Sequence, residues 1–177
     1  WEKGESVAFT CAYAGNLRNI AKTLRQLEEI SGSSKIEIAH EMEDLLAGSV
    51  ELYEDAARKQ ALLAGYAKKC EHNISGDTIV VRLDQLAANL EGKADWMMKN
   101  IRANEWVKDG EDGWFNGYYD NHGRKVEGVM DESVRMMLTG QVFAIMSGTA
   151  TEDQVESICR SADKYLYDQK AGGYRLN

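Results

Sequence analysis

The chain has 177 residues, a formal net charge of −8, 44% hydrophobic residues and no proline. That length and balance are typical of a globular domain with a sizeable core, and they exclude an intrinsically disordered chain. Nucleic-acid binding requires clustered basic residues, whereas lysine and arginine are scattered through this acidic chain, so no nucleic-acid partner is expected.

The first half of the chain carries a helical pattern of hydrophobic residues. Hydrophobic residues recur three and four positions apart from residue 7 to residue 27, and this spacing predicts one long amphipathic helix. The Ser-Gly-Ser-Ser string at 31–34 is expected to end it and to cap a second helix. We predict that this second helix covers residues 38–66, with Gly48-Ser49 as a break, and that a third covers residues 81–101. The absence of proline suits such long helices, because roughly nine prolines would be average for this length.

Glycine and aromatic residues set the stretch 109–129 apart. The pairs Trp114-Phe115 and Tyr118-Tyr119 precede the turn string Asp120-Asn121-His122-Gly123. Aromatic runs beside an Asx/Gly turn predict an inserted β-hairpin near residues 113–127. Because strand side chains alternate, at most one face should belong to the core, and some aromatics should be exposed or line a cleft. The string 109–113 lacks the ligand spacing of a calcium loop and predicts an exposed turn.

The last third of the chain returns to helical periodicity. Residues 134–146 follow it, and the Ser-Gly-Thr string after them is expected to end that helix. Thr151 and Gln154 have the spacing of a capping box, which predicts the start of a last helix, ended by the glycines at 172–173. The predicted fold class is therefore mainly α, with antiparallel helices and one inserted hairpin, in a bundle, a solenoid or a toroid.

Metal and cofactor motifs are absent from the sequence. Cys11, Cys70 and Cys159 are far apart and form no CxxC, which predicts buried free thiols in a reducing cytoplasm and no zinc site. No GxGxxG, GxxxxGK[ST] or GxSxG motif occurs. No apolar run approaches the roughly 18 residues of a membrane span, and no secretory leader is recognisable. We therefore expect a cytoplasmic protein with no metal, no cofactor and no membrane partner.

Four phrases spread along the chain carry a resemblance to a known family. They are the KGESV string at 3–7, the DGWF and YYDNHG strings at 112–115 and 118–123, the RMMLTGQVFAIMSG string at 135–148 and the GGYRLN string at 172–177. In this order they resemble the inverting sugar phosphorylases of glycoside hydrolase family 94. The last two look closest to the 1,2-β-oligoglucan phosphorylase branch of that family.

The resemblance implies part of an (α/α)6 toroid in a cytoplasmic glycoside phosphorylase. Such an enzyme cleaves a β-glucosidic bond with inorganic phosphate and releases α-glucose 1-phosphate with inversion. A carboxylic acid protonates the leaving oxygen while phosphate attacks from the opposite face. The implied partners are a β-linked glucooligosaccharide, with β-1,2 linkage favoured, and phosphate as co-substrate, without any cofactor.

The same resemblance puts the catalytic centre outside the chain. The family's general acid belongs to a DWND phrase expected before Trp1, and its phosphate-binding segment is expected after Asn177. Residues 1–177 are thus expected to be one segment of a catalytic domain, truncated at both ends and inactive alone. Such a segment should expose an apolar edge through which it associates with itself or with its missing half.

Aromatic side chains that stack on sugars, together with polar groups that bind their hydroxyls, are typical of small-ligand sites. On the hairpin and the helix after it, the candidates for lining a sugar subsite are Trp114, Tyr118, Tyr119, Asp120 and Gln141. The alternative is that the hairpin aromatics only pack onto the helices. Two other functions stay open at this point: another (α/α)6 glycosidase or glucan-synthase-related domain, and a non-catalytic helical binding module.

Overall fold

The computed structural model describes residues 5–46, 52, 54–130 and 133–177, and in this part the chain is mainly α, as predicted. This part has four two-stranded antiparallel sheets where one inserted hairpin was predicted. In chain order the elements are α1 (Val7–Ser31), β1 (Lys35–Ala39), α2 (Glu43–Leu46), α3 (Ala56–Lys69), β2 (Thr78–Arg82), α4 (Leu83–Asn104), β3 (Trp106–Asp109), β4 (Asp112–Phe115), β5 (Gly128–Met130), β6 (Ser133–Arg135), α5 (Leu138–Met146), α6 (Glu152–Tyr165), β7 (Tyr167–Asp168) and β8 (Gly173–Tyr174). Residues Trp1–Asn16 and Ala94–Asn177 form one compact unit, and Leu17–Lys93 form a second. Within the described residues, no helix is both long enough and apolar enough to cross a membrane.

In the unit Leu17–Lys93, β1 and β2 form a two-stranded antiparallel sheet. Ile38 lies opposite Ile79 in this sheet, and Val81 lies opposite Ile36. The predictions that Ile38 and Val81 belong to helices were therefore wrong. β-Branched residues favour strands, and the pairing partners are too distant in sequence for a local helical pattern to reveal them. The predicted break at Gly48-Ser49 lies outside the described residues.

The serine-rich string after α1 behaves only partly as predicted. α1 ends at Ser31, and Gly32 follows with a positive φ of 68°, which is the conformation of a glycine after a helix. The chain then enters β1 instead of a second helix. α4 begins only at Leu83, which packs in a small core with Ala21, Leu24 and Ala87.

The unit of residues 1–16 and 94–177 has a larger core around β4. Its buried members are Val7, Cys11, Ile101, Trp114, Phe115, Met136, Ala144, Ile158, Ala162 and Leu166. They come from α1, α4, α5, α6 and β4, and from the residues directly after β6 and α6. The inserted aromatic strand is thus the centre of this unit's core.

The aromatic strand pairs upstream of the predicted hairpin. Trp106 lies opposite Phe115 and Val107 opposite Trp114, across the turn that contains Gly110 with a φ of 62°. The downstream turn is closed by a single bridge between Tyr119 and Lys125. β3 presents the apolar residues Trp106 and Val107 to β4, whereas Arg124 and Lys125, which follow the downstream turn, are charged. This difference explains why β4 pairs with the upstream strand.

Two predicted helix boundaries in the last third were wrong. Val134 lies in β6, and α5 begins at Leu138. α6 ends at Tyr165, so Gly172, with a φ of 66°, lies in the turn between β7 and β8. The Asp168 carboxylate accepts hydrogen bonds from the backbone N–H groups of residues 170 and 171, at 2.9 and 3.1 Å, which favours this turn.

The predicted capping box of α6 is confirmed, and it leads to a stability prediction. Thr151 Oγ1 accepts a hydrogen bond from Gln154 N at 3.4 Å, and Gln154 Oε1 accepts one from Thr151 N at 3.1 Å. We expect Thr151→Ala to lower the free energy of unfolding in urea by about 1 kcal/mol, because the backbone N–H of Gln154 loses its side-chain acceptor. Thr139→Ala, at an exposed position of α5, is the matched control, and equal effects of the two changes would contradict the prediction.

Candidate functional site

β4 is buried on both faces. Trp114 is 0% exposed, and its ring centroid lies 5.5 Å from that of Tyr165 on α6. Phe115 is 1% exposed and packs edge-on against Trp106 at 4.8 Å. The expectation that only one face belongs to the core was therefore wrong, because both α5 and α6 contact the strand.

Gln141 joins α5 to the backbone of β4. Its Oε1 accepts a hydrogen bond from Phe115 N, and its Nε2 donates to Phe115 O, both at 2.8 Å. Nε2 also donates to Met137 O at 3.1 Å. With 1% of its surface exposed, Gln141 uses its amide inside the fold. The structure thus places Trp114 and Gln141, two of the five candidates, in the interior, where they present no surface to a sugar.

Glu127 is a buried carboxylate that joins three segments. It is 2% exposed, its Oε1 accepts a hydrogen bond from Gly117 N at 2.6 Å, and its Oε2 accepts one from Met137 N at 2.7 Å. Burial outweighs these two hydrogen bonds and raises the pKa of Glu127 to about 7. A Cβ on Gly117 would lie 2.7 Å from Oε1 of Glu127 and 3.3 Å from Cα of Gly140. The close packing therefore favours glycine at position 117, because a larger residue would displace the Glu127 carboxylate.

A second buried carboxylate, Glu105, holds Tyr119 in place. The Tyr119 hydroxyl lies 2.8 and 2.9 Å from the two oxygens of Glu105, and Asn116 Nδ2 donates to Oε2 at 3.1 Å. Lys125 Nζ lies 3.7 Å from the same Oε2. Burial, together with the Glu105 carboxylate, raises the pKa of Tyr119 to about 12. The phenol therefore stays protonated at neutral pH and remains a donor to Glu105.

Asp120 shapes the turn that follows Tyr119. Its Oδ1 accepts hydrogen bonds from His122 N at 2.8 Å and Arg124 N at 2.9 Å, and its Oδ2 accepts one from Arg124 Nε at 2.9 Å. The backbone N–H of Arg124 is the main reason that the pKa of Asp120 is lowered to about 2. The remaining candidate, Tyr118, is half-buried and forms a backbone bridge with Ser6. We call Tyr118, Tyr119 and Asp120 the rim of the hairpin, because they are partly exposed, whereas Trp114 and Gln141 are buried.

A cleft of about 230 Å³ opens at this rim. Glu5, Tyr119, Asp120 and Gly123 line it. Tyr119 N donates to Glu5 O at 2.8 Å, which ties the approach to α1 to the hairpin. Glu5 and Asp120 carry carboxylates that can accept hydrogen bonds from hydroxyl groups, and the oxygens of Asp120 already accept hydrogen bonds within the turn.

Three carboxylates of this region were not among the sequence candidates. Glu5 lies in the KGESV string, and this position was a signal that could have identified it. Glu105 and Glu127 resemble ordinary polar positions in the sequence, and only their contacts with Tyr119 and Gly117 distinguish them. These contacts are tertiary, so a pattern of neighbouring residues does not contain them.

The cleft is lined by Glu5, Tyr119, Asp120 and Gly123, and the three cysteines lie elsewhere in the fold. Among the described side chains, no group of three or more His, Cys, Asp or Glu is arranged to hold a metal ion. The three cysteines are free, as predicted, but only Cys11 is buried, whereas Cys70 is half-buried and Cys159 is exposed. Burial raises the pKa of the Cys11 thiol to about 11, so it stays protonated and unreactive at neutral pH.

Comparison with known protein families shows the family to which the chain belongs. The family described as glycosyl hydrolase 94 superfamily, catalytic domain, matches residues 81–177, which are more than half of the chain. No curated protein matches it. The matched range contains the hairpin, α5 and the end of the chain, and so contains three of the four phrases that indicated this family. The chain therefore belongs to the glycosyl hydrolase 94 superfamily.

Proposed function

We propose that the chain is part of a glycoside phosphorylase that cleaves β-1,2-linked glucooligosaccharides with inorganic phosphate, and that the rim cleft contacts the sugar. The observation that carries the proposal is the composition of the cleft. Glu5 comes from the KGESV string, and Tyr119, Asp120 and Gly123 come from the YYDNHG string, which is distant in sequence. Two of the phrases that resemble the phosphorylases thus meet at one surface.

The proposed role of this surface is binding and orientation. Glu5 and Asp120 accept hydrogen bonds from sugar hydroxyls, and Glu105 keeps the Tyr119 ring fixed at the cleft through the phenol oxygen. A fixed ring reduces the entropy that is lost when a ligand orders its site. Proton transfer to the leaving oxygen and phosphate binding belong to the segments that the resemblance puts before Trp1 and after Asn177. We therefore expect the 177-residue chain alone to release no glucose 1-phosphate.

The reaction can be tested in the intact enzyme that contains this chain. A β-1,2-linked glucotriose is incubated with and without inorganic phosphate, and α-glucose 1-phosphate and free glucose are both quantified. The proposal expects glucose 1-phosphate only in the presence of phosphate, and much slower release from β-1,3- and β-1,4-linked trioses. Release of free glucose without phosphate would identify a glycosidase instead, and preference for another linkage would contradict the proposed specificity.

The cleft itself can be tested with Glu5→Gln in the same intact enzyme. A hydrogen bond to a charged acceptor contributes about 1.5 kcal/mol or more, so its loss should raise KM for the oligosaccharide about tenfold. We expect kcat to change little, because the proposed role is binding. Glu156→Gln, at an exposed position of α6, makes the same chemical change outside the cleft and should leave KM unchanged. An unchanged KM in Glu5→Gln would remove the cleft from the proposal without affecting the reaction.

A further inference from the structure

Among the described residues, the Glu127 carboxylate is bonded only by hydrogen-bond donors. Its Oε1 accepts from Gly117 N at 2.6 Å, and its Oε2 accepts from Met137 N at 2.7 Å and from Gln141 Nε2 at 3.4 Å. Each oxygen of a carboxylate can accept about two hydrogen bonds, so Oε2 is occupied by its two donors, whereas Oε1 has one. A proton that binds this carboxylate therefore goes to Oε1, the oxygen that holds Gly117.

Gly117 connects Glu127 to both segments that line the rim cleft. Its carbonyl oxygen accepts hydrogen bonds from Val7 N at 3.0 Å and from Ala8 N at 3.2 Å, and these are the first amides of α1. Glu5, which lines the cleft, lies just before this helix start, and Tyr119 lies just after Gly117 in the chain. One buried glycine thus holds the start of α1 through its C=O group and is itself held by Glu127 through its N–H group.

Close packing leaves Gly117 little freedom to absorb a change at its N–H group. A Cβ at position 117 would lie 3.3 Å from Cα of Gly140, so the backbone of Gly117 is packed directly on α5. α5 is on one side of this residue and the bonds to α1 are on the other. A change in the bond to Oε1 is therefore passed on to the segments that Gly117 carries.

Burial makes the proton of Glu127 available near neutral pH. Burial is the largest cause that raises the pKa of Glu127 to about 7, and the N–H groups of Met137 and Gly117 oppose it without cancelling it. No charged side chain contributes to this rise. Both forms of the carboxyl group are therefore populated close to pH 7.

The segments packed around Glu127 hold their charged groups away from its carboxylate. α5 carries no charged residue. The charged side chains of the neighbouring segments are those of Glu5, Glu105, Asp120, Arg124, Lys125 and Arg135. Glu105 is connected to Glu127 only through Asn116, whose Nδ2 donates to Glu105 Oε2 and whose Oδ1 accepts from the backbone N–H of Glu127. Asp131 and Glu132 lie outside the described residues.

A proton on Oε1 weakens the bond to Gly117 N more than the bond to Met137 N, because a hydrogen bond to a charged acceptor is stronger than one to a neutral acceptor. The proton removes a buried charge and so stabilises the fold as a whole, while this one bond becomes weaker. We propose that Glu127 is a positioning residue for the rim cleft: its ionised form holds Gly117, and with it the segments of Glu5 and Tyr119, in the geometry that binds ligand, and a proton on Oε1 releases that hold. The effect on ligand binding rests on the proposed function of the cleft, whereas the effect on Gly117 does not.

Titration of the 177-residue chain by heteronuclear NMR tests the positioning without any ligand. We expect the Gly117 amide to shift with a midpoint at about pH 7 and the Met137 amide to shift less. Glu127→Gln cannot ionise and should abolish the titration of Gly117. Histidine side chains also titrate near neutral pH, so His122→Asn, which removes the exposed imidazole of the turn, is the control that should keep it.

Three results of this titration would overturn the proposal. They are a Gly117 amide that does not titrate near pH 7, a Gly117 titration that persists in Glu127→Gln, and a Met137 shift larger than that of Gly117. The comparison of the two amides in the wild type decides the question even if Glu127→Gln does not fold.

The effect on ligand is measured in the intact enzyme that contains this chain. Calorimetry without phosphate gives the dissociation constant of a β-1,2-linked glucotriose with no turnover. We expect the wild type to bind about fivefold more weakly at pH 6 than at pH 8, and Glu127→Gln to bind weakly and equally at both. Glu156→Gln, at an exposed position of α6, should follow the wild type.

The two experiments separate failure of this proposal from failure of the proposed function. Equal wild-type affinity at both pH values would overturn the positioning role in ligand binding, and so would a Glu127→Gln variant that keeps the pH dependence. No binding of the glucotriose at either pH would contradict the proposed function of the cleft, and the titration of the Gly117 amide would then decide the role of Glu127 by itself.

Discussion

Replacing Trp114 by alanine is expected to lower the free energy of unfolding by about 3–5 kcal/mol. Trp114 is 0% exposed, and its ring packs against Tyr165 in the core around β4. Removing the indole leaves a cavity in the core. The surrounding residues cannot move in to fill it, because backbone hydrogen bonds and the helices that cover β4 hold them in place. Because native domains have only about 5–15 kcal/mol of stability, the variant should lose much of its cooperative transition.

Urea denaturation followed by circular dichroism measures this loss. Trp114→Phe should be milder, since it keeps a ring and removes the buried indole N–H, which has no hydrogen-bond partner among the described residues. Tyr13→Ala is the matched control, because Tyr13 is 62% exposed and a core effect is absent there. A Trp114→Ala variant as stable as Tyr13→Ala would show that β4 is not the centre of the core.

The free energy of unfolding is also expected to fall by on the order of 3 kcal/mol as pH rises from about 4.5 to about 7. The pKa of Glu127 is raised by burial from 4.5 to about 7, and one pKa unit corresponds to about 1.4 kcal/mol. Between these values the folded state keeps the proton and the unfolded state releases it. The stabilising effect of the proton is therefore complete below pH 4.5 and is lost as pH rises through the folded-state pKa.

Denaturation curves between pH 4.5 and 8 in wild type and Glu127→Gln check this prediction. The neutral glutamine cannot titrate, so the variant should lose most of the slope, whatever its stability at one pH. Glu156→Gln should keep the slope. Asp120 and Glu41 have pKa values lowered to about 2 and act below this window. A slope that persists unchanged in Glu127→Gln would contradict the assignment.

The elements that could be predicted from sequence are those set by neighbouring residues. α1 follows from hydrophobic residues spaced three and four apart, and the start of α6 follows from Thr151 and Gln154. Helical hydrogen bonds and caps connect residues within four positions, so the sequence contains their whole pattern. The family phrases could be recognised for the same reason, because each is contiguous.

The errors concern residues whose partners are distant. Ile38 and Val81 fit a helical pattern locally, but β1 and β2 pair across residues 40–77. Gly172 looks like a helix C-cap, but Asp168 favours a turn before it. Short apolar runs are compatible with helix or strand, and only the partner decides between them.

The sequence by itself determined the mainly α class, the capped last helix and the family, because contiguous residues carry all three. Only the tertiary structure decided that Trp114 and Gln141 are interior, that Glu105 holds Tyr119 and that Glu127 joins three segments. Burial and hydrogen bonding at these positions depend on which helices cover β4 from elsewhere in the chain. The side chains that remain for a ligand are therefore those which the packing leaves at the rim, Glu5, Tyr119 and Asp120.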